Sequence, residues 1–136
     1  PSRTGEGLFR TVNRTLKQGG LSASAIDYIS AHGTATLYND DMESIAFSRL
    51  GMSKIKLNSM KGYFGHTLGA AGLIEVAMAM QSLRNQTLIA SRGSTATGTV
   101  EPLNVLLETE HVSFTTFLKT ASGFGGGNAS LIIRKR

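Results

Sequence analysis

Three short segments carry residues whose types and spacing could do chemistry. In Ala31-His32-Gly33-Thr34-Ala35-Thr36 an imidazole is followed by small and hydroxyl-bearing residues, so the ring could project uncrowded into a cleft. A histidine bonded into the core would satisfy the same residues, and this segment alone leaves both roles open. In Ser59-Met60-Lys61-Gly62-Tyr63-Phe64-Gly65-His66-Thr67-Leu68-Gly69-Ala70-Ala71-Gly72, Lys61 and His66 flank a glycine-hinged turn ahead of a helix. His66 then sits near the positive end of the helix dipole, where an uncharged imidazole can donate from Nε2 to a carbonyl or carboxylate oxygen. Lys61 would add fixed positive charge to the same cleft. Glu75, a turn or more into the helix, is its natural partner, because a buried ammonium without a counter-charge is costly. The alternative is that Lys61 and Glu75 both lie on solvated surface. In Gly123-Phe124-Gly125-Gly126-Gly127-Asn128 the glycines leave backbone N–H groups unobstructed, as an oxyanion hole or phosphate nest requires. A tight hairpin with Phe124 as a core aromatic would fit as well.

Several chemistries are excluded. The 136 residues contain no cysteine, which removes disulfides, thiolate-ligated metals and a cysteine nucleophile from this chain. The histidines at 32, 66 and 111 lack metal-ligand spacing, and His111 reads as a surface position, so no metal site is expected. The glycine segment is followed by a strand-like run rather than a helix, so it is not a dinucleotide fingerprint, and the P-loop lysine is absent. A net charge of +5 suits an acidic partner, but no aromatics interleave with a basic patch, and nucleic acid is not expected. No apolar stretch is long enough to span a membrane, and the opening residues lack a secretory apolar run, so the expected location is cytoplasmic. Without an initiator methionine, the chain is expected to be incomplete on its N-terminal side.

The elements that must position these residues read as α/β. Leu8, Val12 and Leu16 recur at helical spacing from Gly7 to Gln18, ahead of Gly19 and Gly20. Ile26 to Ala31 suits a buried strand that delivers His32, followed by a loop from Gly33 to Asp40. Asp40 or Asp41 caps a predicted second helix with Met42, Ile45, Ala46 and Leu50 on one face, ended by Gly51. Ile55 to Asn58 is a short strand. A third helix is predicted over Leu68 to Leu83, tightly packed at Gly69 to Gly72 and apolar through Ile74, Ala77, Met78 and Met80. Thr87 to Ala90 is a brief strand and Ser91 to Thr99 a loop. Val112 to Leu118 and Ala129 to Ile133 form an antiparallel pair around the glycine turn, giving a mixed sheet in one domain over 1–136.

In order and spacing, the three segments closely resemble the C-terminal half of the β-ketoacyl-acyl-carrier-protein synthases, or ketosynthases. His32-Gly33-Thr34-Ala35-Thr36 with Asn39, Asp40 and Glu43 is similar to the family's H-G-T-x-T…D-x-x-E element. Lys61 through Gly72 plus Glu75 is similar to K-x-x-x-G-H-T-x-G-A-A-G-x-x-E, and Gly123 to Asn128 with Ser130 to G-F-G-G-x-N-x-S. The resemblance implies a thiolase-like fold of two α/β halves, with this chain supplying most of the second and the catalytic cysteine belonging to the absent N-terminal half. It implies decarboxylative condensation of malonyl-carrier protein with an acyl thioester, in fatty-acid or polyketide biosynthesis. His32 and His66 would hold the malonyl thioester carbonyl and stabilise enolate charge, with Lys61 tuning the electrostatics and Glu75, Asp40 and Glu43 in support. Phe124 would gate the acyl pocket, and it and Gly125 would form the oxyanion loop; Thr34 and Thr36 would bond the phosphopantetheine arm of acyl carrier protein.

The resemblance implies no permanently bound cofactor, and a homodimer of the full enzyme. Ala35 stands where glycine or serine is usual, Leu37-Tyr38 replaces a proline-containing pair, and Ala121-Ser122 replaces serine-phenylalanine, which leaves acyl chain length open. The retained His-Lys-His set argues against a decarboxylation-dead relative. Without a nucleophile the isolated chain is expected to be inactive, and a non-catalytic interaction module is the alternative.

Overall fold

A computed structural model describes residues 2–95 and 98–135. Helix α1 (Glu6–Gln18) buries the predicted Leu8, Val12 and Leu16 stripe, and strand β1 (Tyr28–Ser30) follows. Helix α2 (Leu37–Arg49) leads to β2 (Lys56–Asn58), which is succeeded by a single helical turn α3 (Lys61–Phe64). A 3-10 turn at Leu68–Ala70 opens into α4 (Ala71–Asn85). Short strands β3 (Thr87–Leu88), β4 (Asn104–Val105) and β5 (Glu110–His111) precede the long hairpin of β6 (Thr116–Ser122) and β7 (Asn128–Arg134).

The main sheet has the order β4-β2-β1-β6-β7. Its first four strands are parallel and β7 runs antiparallel to β6, so the sheet is mixed as predicted. Strands β3 and β5 pair separately. Strand alternation assigns the two faces. Ile29, Leu57 and Leu118, aligned across β1, β2 and β6, pack with Leu8, Val12, Met42, Ala46 and Phe47 from α1 and α2. Tyr28 and Phe117 face the other way, onto Ala79 and Leu83 of α4. Helices on both faces leave the central strands without a wet side, which is why they read as continuous apolar runs.

Several predicted boundaries move. The second helix begins at Leu37, not at an Asp40 or Asp41 cap: Thr36 is the extended residue before it, and its carbonyl accepts from the Asp40 N–H. The Asp40 carboxylate turns back to the Thr34 N–H instead of capping. The third helix begins three residues later than predicted because Leu68 sits at φ 50°, a left-handed conformation that interrupts an α-helix. Gly69 and Ala70 are exposed rather than packed, and so are Ala77 and Met80; the buried face of α4 is Ala71, Glu75, Ala79, Ser82 and Leu83. The strand predicted over Val112 to Leu118 starts at Thr116 and runs to Ser122, because the Asp27 carboxylate takes the N–H groups of Thr115 and Thr116 where the strand begins. Of the predicted loop at Ser91 to Thr99, Ala96 and Thr97 lie outside the described residues.

Gly62 fixes where α3 meets the 91–95 segment. A Cβ there would lie 2.2 Å from the Arg92 carbonyl oxygen, a backbone atom that cannot swing aside. Gly62→Ala should therefore destabilise the fold by ~1–3 kcal/mol. Urea denaturation of the gene product that carries this chain, with an unchanged midpoint, would count against this packing.

Candidate active site

The parallel strands end at one edge of the sheet, and the site is built just beyond β1. Residues Ser30, Asn58 and Lys119 align across β1, β2 and β6 on the α4 face, forming a polar row after the apolar Tyr28 and Phe117. Ala31 continues the pairing through its N–H to the Asn58 carbonyl, and His32 emerges next. Its backbone is clamped by Glu43 of α2, whose two carboxylate oxygens accept from the N–H groups of His32 at 2.9 Å and Gly33 at 2.7 Å. Asn39 Nδ2 and Thr120 Oγ1 donate to the same carboxylate at 3.1 and 3.2 Å. Burial pushes the Glu43 carboxyl above its ordinary range, and the two backbone donors work against that rise.

Gly33 turns the chain at φ 40°, with its carbonyl accepting from Ser59 Oγ at 2.6 Å. A side chain at 33 would collide with Ser59. Thr34 and Thr36 bond each other through their hydroxyls at 2.7 Å.

Lys61 and Glu75 are buried, with side chains 8% and 5% exposed, so the solvated-surface alternative fails. Lys61 Nζ donates to Glu75 Oε1 at 2.6 Å and to the His32 carbonyl, and it lies 3.2 Å from His32 Nδ1. An ammonium has no lone pair, so this contact requires a neutral imidazole with its proton on Nε2. The His32 pKa accordingly falls from 6.5 to about 4, through burial first and then the charges of Lys61 and Lys119. On the second histidine, Nδ1 accepts from the Leu68 N–H at 3.1 Å, which again assigns the proton to Nε2. The 3-10 turn, rather than the first turn of α4, supplies that donor. The His32 and His66 rings meet edge to face with centroids 5.2 Å apart. Two imidazoles side by side, each with Nδ1 engaged by a donor and its proton on Nε2, can stabilise negative charge developing on one oxygen.

A cleft of about 510 Å³ is lined by Thr34, Asp40, Glu43, Lys61 and His66 among others; Ala31 and Gly33 reach its wall, but His32 between them and Glu75 do not. Thr36, Phe124 and Gly125 are not on its wall. The glycine segment is the tip of the β6–β7 hairpin, with Gly125 and Gly126 at φ 82° and 84°. Phe124 is fully exposed there and is not a core aromatic. His111 is exposed on β5, bonded to Thr87 within the separate β3–β5 pair.

The residue that sequence reasoning passed over is Lys119. It is 2% exposed in the middle of β6, and its Nζ lies 2.5 Å from Glu75 Oε2. The predicted strand stops at Leu118, one residue short of it; only once β6 extends to Ser122 does a lysine directly after Phe117 and Leu118 call for a buried partner.

A mixed sheet between α1 and α2 on one side and α4 on the other, with paired histidines beyond its edge, defines the thiolase-like α/β class. Solved structures with this arrangement include a β-ketoacyl synthase from Burkholderia phymatum, with TM-score 0.90 and 30% identity over 98% of this chain and 33% of that one. Another is a ketosynthase in complex with its chain length factor from Xenorhabdus doucetiae, with TM-score 0.91 and 31% identity over 100% of this chain and 35% of that one. Residues 1–111 match the family model of the beta-ketoacyl synthase C-terminal domain, and the chain belongs to that family. Among curated relatives, 3-oxoacyl-[acyl-carrier-protein] synthase 2 of Rhizobium meliloti is 38% identical over 99% of this chain and 33% of its own length. The chloroplastic synthase II of Arabidopsis thaliana is 32% identical over 97% of this chain and 25% of its own. The chain thus spans about one third or less of the length of these curated relatives. No helix among the described residues is long and apolar enough to cross a membrane.

The depressed His32 pKa has a thermodynamic signature. Between about 4 and 6.5 an unfolded chain binds the ring proton and the folded chain does not. Stability should therefore fall as pH drops through that window, relative to a His32→Gln variant, and the difference should level off on either side. Denaturation of both proteins across pH, with a constant difference, would refute the assignment.

Proposed function

We propose that this chain is the C-terminal part, incomplete on its N-terminal side, of a 3-oxoacyl-[acyl-carrier-protein] synthase, and that it carries the decarboxylation half of the active site. The carrying observation is that the His32 and His66 rings meet edge to face with Nδ1 of each engaged by a donor, which leaves the proton on Nε2, and that His66 lines the cleft. A malonyl thioester bound there would receive both hydrogen bonds on its carbonyl oxygen. As the carboxylate leaves as carbon dioxide, the electrons of the breaking bond move onto that oxygen, where the enolate is stabilised. The enolate carbon then attacks an acyl thioester on a cysteine of the N-terminal half, and the cysteine thiolate departs.

Lys61 keeps His32 neutral and oriented, and Glu75 holds Lys61. Glu43 fixes the His32 backbone and Asp40 the Thr34 N–H. The Phe124 N–H would join that of the cysteine in the oxyanion hole, and the exposed Phe124 ring on its glycine tip is free to gate the acyl pocket. Thr34, on the cleft wall, and Thr36 beside it would bond the phosphopantetheine arm. The substrates arrive on acyl carrier protein, and one structural neighbour is a ketosynthase in complex with such a carrier. The exposed Leu68, Leu73 and Met80 on and before α4 are the apolar surface that the N-terminal half, or a second copy in a homodimer, would cover.

The test is steady-state carbon dioxide release from malonyl-carrier protein by the complete gene product. His66→Ala should reduce it by ~100-fold or more. Release undiminished in that variant would exclude the decarboxylation role and favour an interaction module.

A further inference from the structure

Among the described residues, Lys119 is the one buried cation that the proposed chemistry does not use. Its ammonium contacts the carbonyl oxygens of Ala31 at 2.9 Å and Ser30 at 3.2 Å, the two residues immediately ahead of His32. It also occupies Glu75 Oε2, while Lys61 occupies Oε1. The two ammonium groups thus sit on different oxygens of one carboxylate, and Lys61, on Oε1, also reaches the His32 carbonyl and Nδ1.

We propose that Lys119 is a positioning residue for His32, fixing the backbone ahead of the ring and, by sharing Glu75, holding Lys61 against Nδ1. The charged and titratable groups around it are Glu75 from α4, Glu43 from α2, Lys61 from α3 and the paired His32 and His66. Two carboxylates and two ammonium groups make this a balanced buried set, in which neither lysine is redundant. Burial lowers the Lys119 pKa, and Glu75 works against that fall. The consequence for turnover rests on the role proposed for His32; the geometry does not.

The experiment is nitrogen-15 NMR of the histidine rings in the complete gene product, with His32 assigned from the His32→Gln spectrum. In Lys119→Met and Lys119→Gln the His32 titration midpoint should rise by at least ~0.5 unit. The Nε2–H tautomer should weaken in Lys119→Met, while His111 on the separate β3–β5 pair stays unchanged. A His32 midpoint and tautomer unaltered in both folded variants would overturn the proposal. Should neither variant fold, the unmodified protein decides: the deprotonation of Lys119 must appear as a step in the His32 ring nitrogen shifts, and its absence overturns the proposal equally. A shifted His32 in a gene product that never decarboxylates malonyl-carrier protein would sink the proposed function and leave Lys119 in its positioning role.

Discussion

The end of β1 depends on how two carboxylates are accommodated without water. Glu43 and Glu75 approach the same short stretch of chain from opposite faces of the sheet, one from α2 and the other from α4. An ionised group in such a place costs several kcal/mol in lost hydration, so each must be surrounded by donors. Glu43 is met by two backbone N–H groups, an amide and a hydroxyl; Glu75 is met by two ammonium groups. Strand β6 serves both, because consecutive residues point to opposite faces: Lys119 turns to Glu75 and Thr120 to Glu43.

Such an arrangement is a poor way to gain stability. A buried ion pair replaced by apolar side chains of similar volume is often neutral or stabilising. What the charges provide is directional constraint. An apolar contact would tolerate small rotations of the ring at 32, whereas Lys61 on Nδ1 and Glu43 on the backbone N–H together specify its position, its tautomer and its charge state. The T-shaped approach of His66 then follows from the turn at Leu68, whose left-handed backbone aims an N–H at the second ring.

Much of this was legible in the sequence where a pattern is local. The α1 stripe, the strand that delivers His32, and the Lys61–Glu75 pairing all rest on residues close together or on a charge that demands a partner. The helix starts were misread for a physical reason: Asp40 has the chemistry of a cap but is used to hold Thr34, and Leu68 lacks the glycine or asparagine that would normally mark a left-handed residue. The faces of α4 were misread because Leu73 and Met80 are apolar yet exposed in this chain, so hydrophobicity alone did not point inward. Strands β4 and β5 have two residues each, too few for any period to show.

Lys119 was missed for a subtler reason. Its neighbours in sequence are apolar or small, and its partners come from residues 30, 31 and 75, so nothing local announces the contact. Only the registration of three parallel strands puts Lys119 in one row with Ser30 and Asn58, on the face that meets α4. The same register explains why an apolar sheet can turn polar over a single residue step. Tyr28 and Phe117 seal the core one row earlier, while the next row on that face falls where the parallel strands end and His32 leaves the sheet. A parallel sheet gathers strand ends and helix-borne charges at one edge, and here that edge carries every group that determines the state of the His32 ring.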